Sequence, residues 1–81
     1  MGKRAQLEQF AEKVKSALSI FDYEFTVKIW YGTFRINVVF SWDTDQITSS
    51  VIERFRSVVG DVGVLYVEDH LELYGYPLIE P

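Results

Sequence analysis

The stretch from Tyr23 to Trp42 constrains the fold most, because it can be folded onto itself as a β-hairpin in which every residue finds a suitable partner. Apolar and polar residues alternate with a period of two on both sides of Gly32-Thr33, a pattern typical of strands. A type II′ turn with glycine first suits strand twist and fixes the register. The cross-strand pairs on one face are then Tyr31 with Phe34, Ile29 with Ile36, Val27 with Val38 and Phe25 with Phe40. A turn at Tyr31-Gly32 preserves the alternation and stays open.

Two amphipathic helices are predicted on either side of this hairpin. From Lys3 to about Leu18, apolar residues recur at three- and four-residue steps. After the hairpin, Asp43 is the predicted N-cap of a second helix, with Gln46 as the returning partner of a capping box. Gly60 is its predicted C-terminal stop. The apolar stripe of the second helix consists of Ile47, Val51, Phe55, Val58 and Val59.

A second hairpin is predicted over residues 62–76, with its turn at residues 68–70. The preferred register places Leu65 opposite Leu73, which makes one face aliphatic. The opposite face carries Val64, Tyr66, Glu68, Glu72, Tyr74 and Tyr76. A two-residue turn at Asp69-His70 would mix the two sets and stays an alternative.

The element order predicts an α+β fold, a two-layer sandwich in αββαββ order. A four-stranded antiparallel sheet with two helices on one face buries every apolar stripe at once. The chain of 81 residues is one domain, 1–81. Within it, residues 78–81 form a short extended tail after Pro77, which ends strand pairing. The order also suggests a tandem αββ duplication, although any two amphipathic helices resemble each other this much.

Composition narrows the classes of function. The chain has no cysteine, which excludes disulfides and thiolate metal sites and favours an intracellular, cytoplasmic location. No apolar run has the length of a signal peptide or a membrane span, so we expect a soluble protein without membrane contact. The net charge is −4, and from Ser57 onward there is no lysine or arginine. That balance weighs against general nucleic-acid binding, which needs a basic patch.

His70 is the only histidine, and it lies among Glu68, Asp69 and Glu72. A metal site needs three or four converging ligands, but alternation along a strand sends Glu68 and Asp69 to different sides. No serine or cysteine has a histidine at a spacing typical of nucleophilic catalysis. We therefore predict no catalytic, cofactor-binding or metal-ligating residue, no cofactor and no enzymatic activity, and we interpret His70 as part of a polar hairpin tip.

The sheet face opposite the helices is the candidate functional surface. Arg35 is expected across from Trp30, where its guanidinium can stack on the indole. Aromatic residues and arginine are enriched where proteins meet. The predicted interaction residues are Trp30, Arg35, Lys28, Tyr66, Tyr74 and Tyr76. The simpler interpretation is that tyrosine and tryptophan favour strands and cover neighbouring backbone.

The sequence thus predicts a small, acidic, non-enzymatic protein-protein interaction domain. An accessory or inhibitor role, including one in a virus or mobile element, fits its size. We expect a homodimer, and a heterologous protein partner is the second expectation. The alternative function is single-stranded nucleic-acid binding, in which bases stack on Trp30 beside Lys28 and Arg35. Acidic residues on the same face disfavour that alternative.

Overall fold

The computed structural model describes residues 2–41, 47–60, 63–65 and 72–80 and shows a small α+β domain. Its elements in chain order are α1 (Lys3–Leu18), β1 (Phe25–Trp30), β2 (Arg35–Phe40), α2 (Ser49–Val59) and β3 (Glu72–Gly75). The strands of the described residues form one antiparallel sheet in the order β1-β2-β3. The central strand is therefore β2.

The register predicted for the first hairpin is confirmed. Phe25 pairs with Phe40, Val27 with Val38 and Ile29 with Ile36. Alternation specified this register because a slip by one residue would move every apolar side chain to the other face.

The predicted type II′ turn is wrong. The strand ladder closes at Trp30 and Arg35, which leaves a four-residue loop from Tyr31 to Phe34. A type II′ turn needs a positive φ at the glycine, whereas here the positive φ belongs to Phe34, at 52°. Tertiary contacts accompany this loop geometry, because α1 places cationic side chains on the aromatic rings of Tyr31 and Phe34.

The second helix begins later than predicted. Thr48 is its N-cap, and the Thr48 hydroxyl accepts a hydrogen bond from the Val51 N–H at 3.3 Å. Ile47 therefore precedes the helix, while the predicted caps Asp43 and Gln46 lie outside the described residues. The predicted stop is confirmed: Gly60 ends the helix with a φ of 87°, a conformation that glycine adopts without strain.

One hydrophobic core joins the two helices to one face of the sheet. Helix α1 packs against α2 and lies over β1 and β2, and α2 contacts β3. The buried apolar residues of this core are Leu7, Ala11, Val14, Leu18, Ile36, Val38, Phe40, Val51, Phe55, Val59 and Leu73. Helix spacing and strand alternation bring all of them to one layer boundary.

The predicted four-stranded sheet is wrong, since the residues that the structure describes form a three-stranded sheet in the order αββαβ. The segment Gly63–Leu65 lies within the expected fourth strand but is not a strand. There Leu65 is 47% exposed instead of facing Leu73, and Val64 packs against the core. Gly63, which favours irregular backbone, lies beside the Tyr74 side chain. In the part of the chain that the structure describes, the second unit therefore does not repeat the hairpin of the first, and the described elements give no support to a tandem duplication.

Residues 76–80 follow β3 without forming a strand and return to the start of α1. The Gln6 side-chain amide donates to the Glu80 carbonyl at 2.9 Å, and its oxygen accepts from the Glu80 N–H at 2.9 Å. Pro77 is buried and Ile79 packs against the core. These contacts fix the tail against the helical layer.

Candidate interaction surface

The open side of the sheet carries an ordered group of aromatic and cationic side chains. Alternation places Trp30 and Arg35 opposite each other on this side, and β3 adds Tyr74 beside Asn37. The Arg35 guanidinium carbon lies 4.9 Å from the centre of the Trp30 ring and 5.0 Å from that of Tyr74. Arg35 thus bridges rings from the two outer strands. We call Trp30, Arg35, Tyr74 and Tyr76 the aromatic face.

The structure brings together four of the six predicted interaction residues. Tyr76 joins the group because its ring meets that of Tyr74 edge to face at 5.7 Å. Lys28 lies on the same side of the sheet, two residues before Trp30 on β1, and its cross-strand partner is Asn37. Tyr66 lies outside the described residues.

Two buried polar atoms, one in the aromatic face and one beside it, lack a hydrogen-bond partner among the described residues. Asn37 is 3% exposed, and its amide nitrogen donates to the Glu72 carboxylate. The Asn37 side-chain oxygen and the Arg35 Nε are buried and make no hydrogen bond within the described part of the chain. Such groups typically cost about 1–3 kcal/mol each. The sequence did not predict that these polar groups are buried. Alternation shows to which side of the sheet a side chain points, but not whether neighbouring side chains shield it from solvent.

The outer edge of β1 is a second candidate surface. The Ser41 N–H donates to the Glu24 carbonyl at 2.9 Å, so Glu24 directs its backbone groups towards β2. Backbone groups alternate in direction along a strand. Those of Phe25, Val27 and Ile29 therefore point away from β2, and no described strand pairs with them. We call these outward backbone groups, together with the side chains of the same three residues, the β1 edge.

The side chains of the β1 edge face the helical layer but are only partly covered. Phe25, Val27 and Ile29 are each half-buried. Their cross-strand partners on β2 are at most 2% exposed. The β1 edge thus combines an incompletely covered apolar row with backbone donors and acceptors that no described strand pairs. The sequence did not reveal this difference, since both strands have the same alternation.

The hairpin loop lies against the beginning of α1 through two cation–π contacts. The Arg4 guanidinium carbon is 4.3 Å from the centre of the Tyr31 ring, and the Lys3 ammonium is 5.9 Å from that of Phe34. Both pairs escaped the sequence-based prediction. The signal that could have found them is the Lys3-Arg4 pair at the start of an amphipathic helix whose stripe packs on the same hairpin.

The described residues contain no group of three or more histidine, cysteine, aspartate or glutamate side chains that could hold a metal ion. His70, Glu68 and Asp69 lie outside the described residues. A shallow depression of about 720 Å³ lies at the end of the hairpin away from the loop, and Glu24 is the carboxylate among its lining residues. Among the helices that the structure describes, none has the length and apolar character needed to cross a membrane.

Comparison with models of protein families, with curated proteins and with solved structures finds no match to this chain. The geometry of the aromatic face and of the β1 edge is therefore the basis for assigning a function.

Proposed function

We propose that this chain is a non-enzymatic protein-interaction module that self-associates through its sheet. The supporting observation is the β1 edge, where half-buried Phe25, Val27 and Ile29 coincide with backbone groups that no described strand pairs. An unpaired antiparallel edge is a template for a strand from another chain. Addition of that strand pairs the backbone groups and covers the apolar row.

The size of the domain favours association. A chain of 81 residues buries only about 60–65% of the surface that its unfolded form exposes, so its stability margin is small. Apolar area removed from water contributes roughly 25 cal/mol per Å². Completing the cover of three partly exposed side chains on each copy therefore favours the associated state.

The aromatic face adjoins this edge and supports it. Trp30 is the last residue of β1 and is 50% exposed, so its indole flanks any strand that pairs with β1. Tryptophan and arginine are the residue types most enriched among side chains that dominate binding energy. One side of the Trp30 ring already packs on Arg35. The face is thus an ordered flank of the interface, and its aromatic residues need little further ordering on binding.

Substitution of Val27 by proline tests the proposal. The Val27 N–H points outward, so proline at this position removes a donor from the free edge while leaving the β1–β2 hydrogen bonds intact. We expect the molar mass of the wild-type chain, measured by sedimentation equilibrium over a hundred-fold concentration range, to rise to that of a dimer. The V27P variant should stay monomeric and keep the far-ultraviolet circular dichroism of the wild-type chain.

A matched variant, Val27→Ala, keeps the N–H and should retain most of the association. A wild-type chain that stays monomeric at every concentration would overturn the proposal. Association of V27P with unchanged affinity would remove the β1 edge from it, whereas loss of association in Trp30→Ala alone would transfer the interface to the aromatic face.

Single-stranded nucleic-acid binding is the second candidate. The observation in its favour is a set of cationic side chains around the hairpin loop, close to half-exposed Trp30. These side chains are Lys3, Arg4, Lys28 and Arg35. Stacking of a base on an aromatic ring typically contributes about 1–3 kcal/mol. Arg35 occupies one side of the Trp30 ring, however, and the net charge of −4 opposes a polyanion.

Fluorescence titration with oligonucleotides at low salt separates the two candidates. Nucleic-acid binding predicts quenching of tryptophan emission, and replacement of Lys28 by alanine should reduce the salt slope by about one. Glu53→Ala is a control on the opposite layer and should leave the slope unchanged. Unchanged emission at saturating oligonucleotide would exclude this candidate and leave self-association untouched.

A further inference from the structure

We propose that a second copy of the chain pairs its β1 with the β1 edge in antiparallel fashion, around a two-fold axis that passes beside Val27. The two sheets then form one continuous six-stranded sheet. This inference rests on the proposed self-association and adds the partner strand and its register.

The backbone directions limit how two copies can meet. Phe25, Val27 and Ile29 direct their N–H and C=O groups outward, while Thr26, Lys28 and Trp30 direct theirs towards β2. Antiparallel edge-to-edge pairing of identical strands requires a two-fold axis perpendicular to the sheet. That axis keeps each side chain on the same side of the sheet. A residue that faces the helices can therefore oppose only another residue that faces the helices, and the same holds for residues on the open side.

Two symmetric registers keep most of β1 paired. In the first, Val27 of one copy opposes Val27 of the other, and Phe25 opposes Ile29. In the second, Lys28 opposes Lys28, and Val27 opposes Ile29. Both registers bring apolar side chains together. The Val27-centred register pairs the outward backbone groups of all three residues of the β1 edge, whereas the Lys28-centred register leaves Phe25 opposite Tyr31, which lies in the loop.

Charge on the open side of the sheet selects the first register. In the Lys28-centred register the two lysines form a non-hydrogen-bonded pair, whose Cα atoms approach to about 4.5 Å, and like charges directly opposite are destabilising. In the Val27-centred register Lys28 opposes Thr26 of the second copy, and its two diagonal neighbours there are Glu24 and Lys28. The two lysines are then no longer directly opposite, and an opposite charge lies equally near. Diagonal neighbours about 7–8 Å apart are within reach of long side chains. Both Lys28 and Glu24 are exposed.

The Val27-centred register also places the partly exposed side chains of β1 against residues of the second copy. Trp30 opposes Glu24 of the second copy, so the half-exposed indole covers the strand that pairs with it. On the helical side, the Phe25 side chain meets Ile29 of the second copy, and the reverse contact follows by symmetry. The three half-buried residues of the β1 edge thus complete one another's cover.

Single cysteine variants test the register, because the chain contains no cysteine of its own. Opposed residues in an antiparallel pair have Cα separations of about 4.5–5.5 Å, which falls within the range that a disulfide bridges. We expect Val27→Cys to form a covalent dimer on mild oxidation at least about ten times faster than Lys28→Cys. Sedimentation of both variants under reducing conditions serves as the control for association.

Charge exchange is an independent test on exposed residues that do not contribute to the core. Glu24→Lys and Lys28→Glu should each weaken dimerisation about ten-fold, since each creates two like-charge pairs across the axis. The double variant E24K/K28E restores opposite charges and should bind within about three-fold of the wild-type chain. Glu53→Lys, on α2, is a charge-reversal control and should leave the affinity unchanged.

Failure of this register and failure of self-association give different results. Faster cross-linking of K28C than of V27C, or no recovery of affinity in the double variant, would overturn the Val27-centred register while dimerisation persists. A wild-type chain that sediments as a monomer at all concentrations would overturn both.

Discussion

Strands β1 and β2 carry the same apolar residues in mirrored order, yet their burial differs. The core-facing side chains are Phe25, Val27 and Ile29 on β1 and Ile36, Val38 and Phe40 on β2. Those on β2 are at most 2% exposed, whereas those on β1 are half-buried. Each pair has identical chemistry, so the difference comes from position: among the described strands, β2 has a neighbour on both sides and β1 on one.

The open side of the sheet shows the same contrast with polar residues. Asn37 of β2 is flanked by Lys28 and Tyr74 and is 3% exposed, while Lys28 of β1 is exposed. Flanking strands therefore bury even an amide at the centre of the sheet. The edge strand keeps its charge in water, and no described strand pairs with its outer side.

The largest effect on stability is expected from a pair of identical substitutions, at Ile36 on the central strand and at Ile29 on the edge strand. Ile36→Ala should lower the free energy of unfolding by about 3 kcal/mol, because it leaves a cavity in a fully buried site. Ile29→Ala should cost about 1 kcal/mol in the dilute monomer, where the site is already partly open. Urea unfolding at low protein concentration measures both values. Equal losses would show that edge position does not set the energetic difference.

A second test compares the polar residues at the centre of each strand. Asn37→Asp replaces an amide donor by a carboxylate beside the Glu72 carboxylate, and we expect it to cost about 2 kcal/mol at neutral pH. The loss should shrink on acidification, because protonation of one carboxyl removes the repulsion and restores a donor. Lys28→Gln, at the paired exposed position, should change stability by less than about 0.5 kcal/mol. A pH-independent loss in N37D would contradict the proposed cause.

A third test asks whether the stability cost of each alanine substitution depends on protein concentration. If β1 is an interface, the cost of Ile29→Ala should grow by about 1 kcal/mol between dilute and concentrated protein, because the dimer stabilises the folded state. The cost of Ile36→Ala should stay constant. Urea midpoints of both variants and the wild-type chain, recorded at two concentrations, decide the matter. Parallel shifts in both variants would indicate that β1 stays exposed.

The smallest expected effect lies in the loop that joins the two strands. Phe34 has a φ of 52°, in the left-handed region that disfavours most side chains. Phe34→Asn should raise the free energy of unfolding by about 0.5 kcal/mol, since asparagine tolerates this conformation. Thermal unfolding measures the change, and Thr33→Asn controls for the added amide. A loss of stability in F34N would show that the Lys3 contact with the Phe34 ring outweighs the backbone strain.

Local pattern predicted the first hairpin well and the second poorly. The pairing of Val27 with Val38 follows from strict alternation, and Gly60 ends its helix as expected. The run around Gly63 also looked like a strand, but the described residues 63–65 are not one, and Val64 packs against the core. Thr48 displaced Asp43 as the cap because several capping residues precede the helix, and sequence spacing does not rank them.

The candidate surfaces also contain contacts that the sequence predicted and contacts that it could not predict. The stacking of Arg35 on Trp30 was predictable, since both residues lie opposite each other in a register that alternation fixes. The second contact of Arg35, with Tyr74, depended on which strand lies beside β2. The half-buried state of Phe25, Val27 and Ile29 on the β1 edge depended on the same choice, and neither residue type nor spacing contains that information.

The sequence by itself determined the period of each element, the register of the hairpin and the side of the sheet to which each of its residues points, because these follow from local backbone geometry. Only the tertiary structure decided that β2 is central and β1 an edge, and that Asn37 is buried while Lys28 is exposed. The reason is physical: burial is a property of neighbours. Strands with the same apolar residues are fully or only partly buried according to what packs beside them.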